Sequence, residues 1–386
     1  MGMNIGAKNY DDPTYQEQLS RLDIVVLGFH ANWRGDKNGE VIRHAVQAIK
    51  SHNPKVVVGQ YTVLNESYAE KAGSMDDAVI DKLQRQGWWL RNAAGQQVQW
   101  TDEYNTWEVN ITDFTAPDAN GDRYPQWYAQ WVDQRYFKTV PEFDFRYFDN
   151  FLSHSLVTQG ADWKRNGTNL PSEDPEVASA FRRGQMATLT TARRLAPTHR
   201  FQLVNLDINT APEYDGQLNA AYLEGLIGKE WSIATWAGWE GMMARYKTVH
   251  DHLATPKVVG FNAWGARGDY RAFRFGLASS LLGNGYYSHT LHDAAYSTVP
   301  WFDEYEVPLG KPVDPWPAAA WQNGVWKRRY EQALVLVNPT ASPKVVDVGA
   351  GWQRFRGQQD PGVNSGAVAT TITLPPQDGL ILIRKS

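Results

Sequence analysis

The sequence predicts an α/β protein, a (β/α)₈ TIM barrel followed by a small C-terminal all-β domain. Short apolar runs rich in Val, Ile, Phe and Tyr alternate with longer stretches of helical periodicity, the pattern of a parallel sheet wrapped by helices. A proline-rich linker follows, and the residues after it resemble short strands separated by turns. The length of 386 residues suits a barrel of about 250 residues plus a smaller domain. We therefore expect a barrel over residues 1–311 and a β-sandwich over residues 312–386.

Each element has its own signal in the chain. Helices are predicted at residues 40–50, 125–137 and 175–195, and Asp174 followed by Pro175 is a typical start for the last of them. The C-terminal strands are predicted at 330–337, 344–348, 370–374 and 380–384. The barrel strands are predicted at 23–30, 55–61, 143–150, 201–207, 219–225, 257–264 and 285–290, with an irregular third unit over 87–100 and 107–112.

Composition narrows the class of partner. A net charge of −4 and a pI near 6.2 provide no cationic field, so we expect neither nucleic acid nor an anionic membrane surface as partner. The absence of cysteine excludes disulfides, thiolate metal sites and a cysteine nucleophile. There is no 18-residue apolar run, and residues 1–10 lack the pattern of a signal peptide. We expect a soluble protein, secreted or periplasmic, whose export signal is missing from this sequence.

Aromatic residues are unusually abundant. The chain contains 17 Trp and 18 Tyr, more than a core of this size needs. About half of the Trp residues are expected to fill the space between barrel and helices. Rigid aromatic faces are also surfaces on which sugar rings stack. The candidates for such a cleft lie near predicted strand ends or loops: Trp33, Trp100, Trp107, Trp236 and Trp264.

Polar side chains end the predicted strands, where barrels carry their active sites. Asp149 follows the run FRYF and Glu224 follows AAYL, so each carboxylate stands where a buried strand opens. Two such groups suit glycoside hydrolysis, in which one protonates the leaving oxygen and the other attacks the anomeric carbon or activates water. Asp207 is a credible third. The whole set is His30, Gln60, Asn110, Asp149, Asn150, Asn205, Asp207, Glu224 and Asn262.

Structural roles compete with this interpretation. Asp149 with Asn150 also fits a turn or helix cap, and Glu224 alone also fits a salt-bridged residue at a helix start. Their joint occurrence at the ends of strands four and six favours catalysis. His250 and His252 have the wrong spacing for two metal ligands on one helix face, and no coherent ligand set is present, so we predict no metal and no cofactor. The motifs G-x-S-x-G, P-loop and G-x-G-x-x-G after a strand are missing from the sequence.

The order of several short motifs resembles a known family. EVNIT (108–112), YFDNF (147–151), LVNLD (203–207), YLEG (222–225), WFDEYEVPLGKP (301–312) and WKRRYEQALVLVNP (326–339) resemble hypothetical glycosyl hydrolase family 15, which is unrelated to the glucoamylases. The resemblance implies a barrel related to the α-galactosidase-like enzymes, with a nucleophilic carboxylate after strand four and an acid/base carboxylate after strand six. Carried over, these roles fall on Asp149 and Glu224. The sequence departs from the pattern in Asp207, two residues after Asn205, which leaves a catalytic role for Asp207 open.

Two hypotheses follow. The first is a glycosidase that cleaves an extracellular, bacterial polysaccharide, with Asp149 as nucleophile or base and Glu224 as general acid. The second is a glycan-binding or scaffold protein that kept the barrel and lost turnover. The intact pair of strand-end carboxylates favours the first. The substrate-binding candidates are His30, Trp33, Tyr61, Trp107, Asn110, Asn150, Asn205, Trp236, Asn262 and Trp264, with the aromatic rings stacking on the sugar and the amides binding its hydroxyls.

Overall fold

The computed structural model describes residues 1–6, 10–28, 39–71, 77–196, 201–207 and 211–385. Its main sheet has eight strands in the order β1-β2-β3-β6-β7-β8-β9-β10. All the recorded pairs β1–β2, β2–β3, β3–β6, β6–β7, β7–β8 and β9–β10 are parallel. The strand bounds are β1 Gly2–Asn4, β2 Ile24–Leu27, β3 Val57–Val63, β6 Phe145–Phe151, β7 Phe201–Leu206, β8 Ala220–Ile227, β9 Val258–Gly265 and β10 Tyr286–Leu291.

Helices alternate with most of these strands along the chain, and the predicted (β/α)₈ class is confirmed. All residues of β3 and β9 are buried, as expected for parallel strands covered on both faces. In the predicted long helix, Asp174 accepts hydrogen bonds from the backbone N–H groups of Glu176 and Val177, and Pro175 is the first residue. The helices are α1 Pro13–Ser20, α2 Glu40–His52, α3 Asp77–Gln86, α4 Tyr124–Val132, α5 Pro175–Leu195, α6 Ile233–Trp236, α7 Gly238–His252 and α8 Tyr270–Leu281.

The chain divides into two compact units. Unit 1 comprises residues 1–222 and 251–258, and so holds β1, β2, β3, β6, β7 and the start of β8. Unit 2 comprises residues 223–250 and 259–386, and so holds the rest of β8, most of β9, β10 and the C-terminal strands. The predicted division into domains of 1–311 and 312–386 stays a prediction.

Two predictions about strands in unit 1 were wrong. The first strand of the sheet is Gly2–Asn4, which is too short to show a period and was missed. The predicted third unit is not a strand of the main sheet. It forms isolated antiparallel bridges, such as Trp89 with Val109, and β5 (Trp107–Glu108) pairs with β4 (Glu66–Ser67) in a two-stranded ribbon. Its apolar residues resemble those of a strand because they are buried within this excursion between β3 and β6.

The C-terminal all-β region is confirmed within unit 2. Five antiparallel strands follow the order β11-β12-β15-β13-β14. Alternate residues of these strands share one face and form an apolar core that includes Leu336, Ile372 and Leu382. Arg274 of α8 pairs with Asp378 at 3.1 Å and with Asp360 at 2.5 Å. The strand bounds are β11 Trp326–Arg329, β12 Ala333–Asn338, β13 Lys344–Arg354, β14 Val368–Leu374 and β15 Asp378–Arg384.

None of the helices in the described parts of the chain combines the length and the hydrophobicity needed to cross a lipid bilayer.

A buried ion pair anchors β6, the strand that carries Asp149. Arg146 is fully buried and its guanidinium binds the carboxylate of Asp133, which lies in a short π-helical turn after α4. Arg146 also donates to the carbonyl of Ala192 over 3.0 Å, and its guanidinium lies 4.6 Å from the ring centroid of Phe137. A buried charge of this kind lowers the stability of the fold unless an opposite charge is paired with it.

We expect Asp133→Asn to lower the free energy of unfolding by about 3–5 kcal/mol, because it leaves the Arg146 charge buried without a counter-charge. The matched control is Lys138→Gln, since Lys138 lies 3.6 Å from Asp133 but its side chain is 62% exposed. The control should change the free energy by less than about 1 kcal/mol. Urea unfolding measures the free energy of unfolding of both variants, provided that their m-values match that of the parent protein. Equal effects of the two substitutions would contradict the prediction.

Candidate active site

Asp149 lies near the end of β6, where regular pairing with β7 is interrupted. The first four residues of β6 are buried, whereas Asp149 and Asn150 are half-buried. Pairing with β7 passes from Phe148 directly to Phe151, and Asn150 has a φ of 53°. Irregular pairing of this kind is common beside active sites because it redirects a side chain at the rim of a sheet. Here the irregularity lies between the four buried residues that open β6 and the last residue of the strand.

Side chains from three neighbouring strands contact the Asp149 carboxylate. Asn205 of β7 donates from Nδ2 to Oδ1 over 2.8 Å, and the hydroxyl of Tyr147 lies 3.4 Å from the same oxygen. The hydroxyl of Tyr61 in β3 donates to Oδ2. The rings of Tyr61 and Tyr147 stack with centroids 5.4 Å apart, which fixes the position of both hydroxyls. Both carboxylate oxygens are therefore oriented by the protein itself, as a reacting group requires.

Glu224 lies in β8 directly after the buried residues Tyr222 and Leu223, and it is half-buried. The hydroxyl of Tyr296 donates to its Oε1. The ring of Tyr296 meets Trp264 edge-on, with centroids 5.2 Å apart. Tyr296 was not predicted, because it follows β10 in a segment without periodicity, and nothing in the sequence indicates that contact.

Asn262 fixes the backbone beside Glu224. Its Oδ1 accepts the N–H of Gly225 over 2.9 Å, and its Nδ2 donates to Oγ1 of Thr290 over 3.0 Å and to the carbonyl of Ser288 over 3.2 Å. Asn262 is fully buried. Its amide therefore connects the three strands β8, β9 and β10, and the predicted contact of Asn262 with substrate stays a prediction.

Two further carboxylates in unit 1 were not among the predicted site residues. Glu66 and Glu108 lie directly opposite each other in the ribbon of β4 and β5. Glu66 Oε2 accepts from Nε1 of Trp100 and from Oγ1 of Thr106, each over 2.9 Å. Burial raises the pKa of Glu66, and the charge of Asp149 raises it further. Cross-strand pairing in so short a ribbon has no sequence signal, although Glu108 does open the EVNIT motif.

Asp207 makes contacts different from those of Asp149. Its Oδ2 accepts from the backbone N–H of Ser153 over 3.0 Å and from the Ser153 hydroxyl over 2.5 Å. Burial raises the pKa of Asp207, and the hydrogen bonds from Ser153 counteract that effect, with smaller contributions from the nearby His154 and Arg182. The carboxylate thus ties the end of β7 to the segment after β6. A catalytic role for Asp207 stays a prediction.

A comparison with protein families decides the class. The profile described as hypothetical glycosyl hydrolase family 15 matches residues 50–334, nearly three quarters of the chain. The chain belongs to this family. The predicted family and enzyme class are confirmed, and the protein is a glycoside hydrolase. A sequence search finds no curated protein that matches the chain.

Solved structures of other glycoside hydrolases share the fold. Eubacterium rectale Amy13B is 9% identical, with a TM-score of 0.55 over 100% of this chain and 94% of that one. The Anoxybacillus α-amylase is 10% identical, with a TM-score of 0.52 over 98% and 90% of the two chains. The α-amylase from Geobacillus thermoleovorans is 9% identical, with a TM-score of 0.51 over 98% and 91%. At such identities the likeness shows the fold alone.

The remaining predicted substrate contacts of this glycoside hydrolase differ in accessibility. Trp236 is 63% exposed, as a stacking residue should be, and Trp107 is half-buried. Trp264 is buried under Nζ of Lys229, which lies 3.6 Å from its ring centroid. Asn110 is buried and donates to the carbonyl of Trp163 over 2.9 Å. His30 and Trp33 lie outside the described residues.

The buried carboxyl of Glu108 predicts a pH-dependent stability. Burial raises the pKa of Glu108 well above its usual range, with a further contribution from Glu66. The folded protein therefore binds this proton more tightly than the unfolded chain does. The contribution of this proton to the free energy of unfolding is fully present below the ordinary glutamate pKa of about 4.3. It is lost as the pH rises through the pKa that Glu108 has in the folded protein. Oε1 of Glu108 also has no hydrogen-bond partner among the described residues.

We expect Glu108→Gln to be more stable than the parent protein at about pH 8, by about 1–3 kcal/mol, because the amide stays neutral. Near pH 4 the two proteins should unfold at the same temperature. Thermal unfolding across this pH range measures the difference. Glu103→Gln, in the exposed loop before β5, is the control and should match the parent throughout. A Glu108→Gln protein that is less stable at pH 8 would mean that the parent carboxylate is ionised and well paired.

Proposed function

We propose that this glycoside hydrolase cleaves an extracellular, bacterial polysaccharide, with Asp149 as nucleophile or base and Glu224 as general acid. In such a reaction the acid protonates the oxygen of the leaving sugar. The other carboxylate attacks the anomeric carbon, or removes a proton from the water that does so. The partner of the protein is then the polysaccharide, or an oligosaccharide derived from it.

The observation that carries this proposal is the fixed orientation of Asp149. Tyr61, Tyr147 and Asn205 contact its two oxygens from three adjacent strands. Such preorganisation suits a group that reacts with an anomeric carbon at a defined angle. Glu224 supports the assignment, because it is half-buried at the equivalent part of its own strand and has a tyrosine hydroxyl on one oxygen.

The substrate class also suggests where the enzyme works. A polysaccharide of bacterial origin is encountered outside the cytoplasm, so we propose that the protein acts as a secreted or periplasmic enzyme. A net charge of −4 suits a neutral glycan and provides no broad cationic surface for nucleic acid.

The test is the release of reducing ends from a panel of bacterial exopolysaccharides and of α- and β-linked glycans. The intact protein should act on at least one member, and Asp149→Asn and Glu224→Gln should each abolish that activity. Asp113→Asn, an exposed carboxylate paired with Arg183 at 2.9 Å, is the control that should retain it. Activity that survives either active-site substitution would reassign the chemistry. Binding of a glycan without any hydrolysis would favour the scaffold hypothesis.

A further inference from the structure

Trp231 is a large apolar side chain that the fold leaves accessible, close to the backbone of the residue that follows Glu224. It is 56% exposed. A β-carbon placed on Gly225 would come within 2.3 Å of Cη2 of Trp231, so the six-membered ring of the indole lies against the backbone of the residue that follows Glu224. Gly225 also has a φ of 56°, which favours glycine for a second reason. One edge of the indole is thus packed, while more than half of the residue stays accessible.

The loop that carries Trp231 is held to β8 by one hydrogen bond and closed by two others within the loop. Ser232 is fully buried, and its hydroxyl donates to the carbonyl of Gly225 over 2.6 Å and accepts the N–H of Lys229 over 2.8 Å. The backbone N–H of Ser232 donates to the carbonyl of Lys229 over 3.1 Å. At the start of the loop, a β-carbon on Gly228 would come within 2.0 Å of the Trp264 carbonyl oxygen. Trp231 is therefore presented by a closely packed turn.

An indole that is both exposed and held in place indicates a binding surface. Single exposed apolar side chains are common on protein surfaces, but this ring is also fixed in place against the residue that follows Glu224. A flat aromatic ring offers contact area at a low cost in conformational entropy, because few torsions have to be fixed. The C–H face of a pyranose ring matches it in shape and polarity. Lys229 and Glu230 directly precede Trp231 in the chain, and charged groups suit the hydroxyls at the edge of such a ring.

We propose that Trp231 is the stacking platform for the sugar residue on the leaving-group side of the cleaved bond. This placement rests on the proposed role of Glu224 as general acid. The general acid must reach the oxygen that joins the two sugars. Trp231 packs against Gly225, the residue that follows Glu224 in the chain. The ligand class is a neutral oligosaccharide that extends beyond the cleaved bond.

Two substrates with the same sugar but different leaving groups test the proposal. An oligosaccharide from the active member of the panel has a sugar on the leaving side, whereas the corresponding glycosyl fluoride has none. We expect Trp231→Ala to lower kcat/KM for the oligosaccharide about tenfold, chiefly through KM, and to leave the fluoride unchanged. Trp231→Phe should recover most of the loss. The control is Tyr286→Ala, which removes a 37% exposed aromatic ring at the start of β10 and should change neither rate.

Binding to a protein without its general acid separates this proposal from the proposed function. Calorimetry with the oligosaccharide should show about tenfold weaker binding to the Glu224→Gln/Trp231→Ala double variant than to Glu224→Gln alone. If Trp231→Ala lowers kcat/KM equally for the oligosaccharide and the fluoride, the placement of Trp231 on the leaving-group side is overturned. No change in either kcat/KM or binding would overturn the platform altogether. If the parent protein binds oligosaccharides through Trp231 but hydrolyses none, the proposed function fails and the leaving-group assignment fails with it.

Discussion

Asp149→Ala is expected to lower kcat on the active glycan by a factor of about 10⁴ or more, the scale on which enzymes lose turnover when a reacting group is removed. The carboxylate accepts hydrogen bonds from Tyr61 and Asn205. Substrate binding should change much less, because the alanine removes no stacking surface. Steady-state kinetics at saturating substrate measures the effect on kcat separately from KM.

Azide provides the positive control for this variant. The space left by the Asp149 side chain admits a small anion, which can attack the anomeric carbon and form a glycosyl azide. Partial recovery of turnover with azide is expected, while Asp113→Ala should need no recovery. The anomeric configuration of the product from the parent protein then tells nucleophile from base, since retention requires a covalent intermediate and inversion does not. An Asp149→Ala protein with more than about a tenth of the parent kcat would remove Asp149 from the mechanism.

Glu224→Gln is expected to lower kcat/KM for an oligosaccharide by a factor of about 10²–10⁴, the usual contribution of a general acid. A sugar alkoxide is a poor leaving group and needs the proton that Glu224 supplies. Fluoride needs no such proton to leave, so the same substitution should lower kcat/KM for the glycosyl fluoride by less than about tenfold. The amide is close in size to the carboxyl and keeps an oxygen that can accept from Tyr296.

The pH profile is a second measurement on Glu224→Gln. In the parent protein the fall of kcat/KM at high pH reports the loss of the essential acidic proton. The amide cannot titrate, so this part of the profile should disappear in the variant. Two results would show that Glu224 is not the general acid. One is an equal loss of kcat/KM for the oligosaccharide and the glycosyl fluoride, and the other is an unchanged fall of kcat/KM at high pH.

Most of the strands were predictable because their signals are local. Seven predicted barrel strands correspond to β2, β3, β6, β7, β8, β9 and β10, and each is a short apolar run bounded by turn residues. The same local reasoning failed at β1, which has only three residues, and in the excursion between β3 and β6. There, buried residues such as Trp88 and Ile111 produce the composition of a strand without its parallel pairing.

The site was predictable as a set of residues and not as a set of contacts. Asn205 lies in β7 and Asp207 directly follows this strand, and the sequence predicted both as polar residues at its end. In the structure Asn205 donates to Asp149, whereas Asp207 accepts from Ser153. Which of these two side chains contacts Asp149 depends on the pairing between β6 and β7, which places distant residues side by side.

The sequence by itself determined the α/β class, the placement of Asp149 and Glu224 at strand ends and the cap of α5, since each depends on residues within a few positions. Only the tertiary structure decided which side chains surround those carboxylates. Tyr61 lies 88 positions from Asp149, and Tyr296 lies 72 positions from Glu224. Contacts over such separations form when strands pair and loops pack, and no local preference specifies them. For the same reason, the packing of Trp231 on Gly225 became visible only in the folded chain.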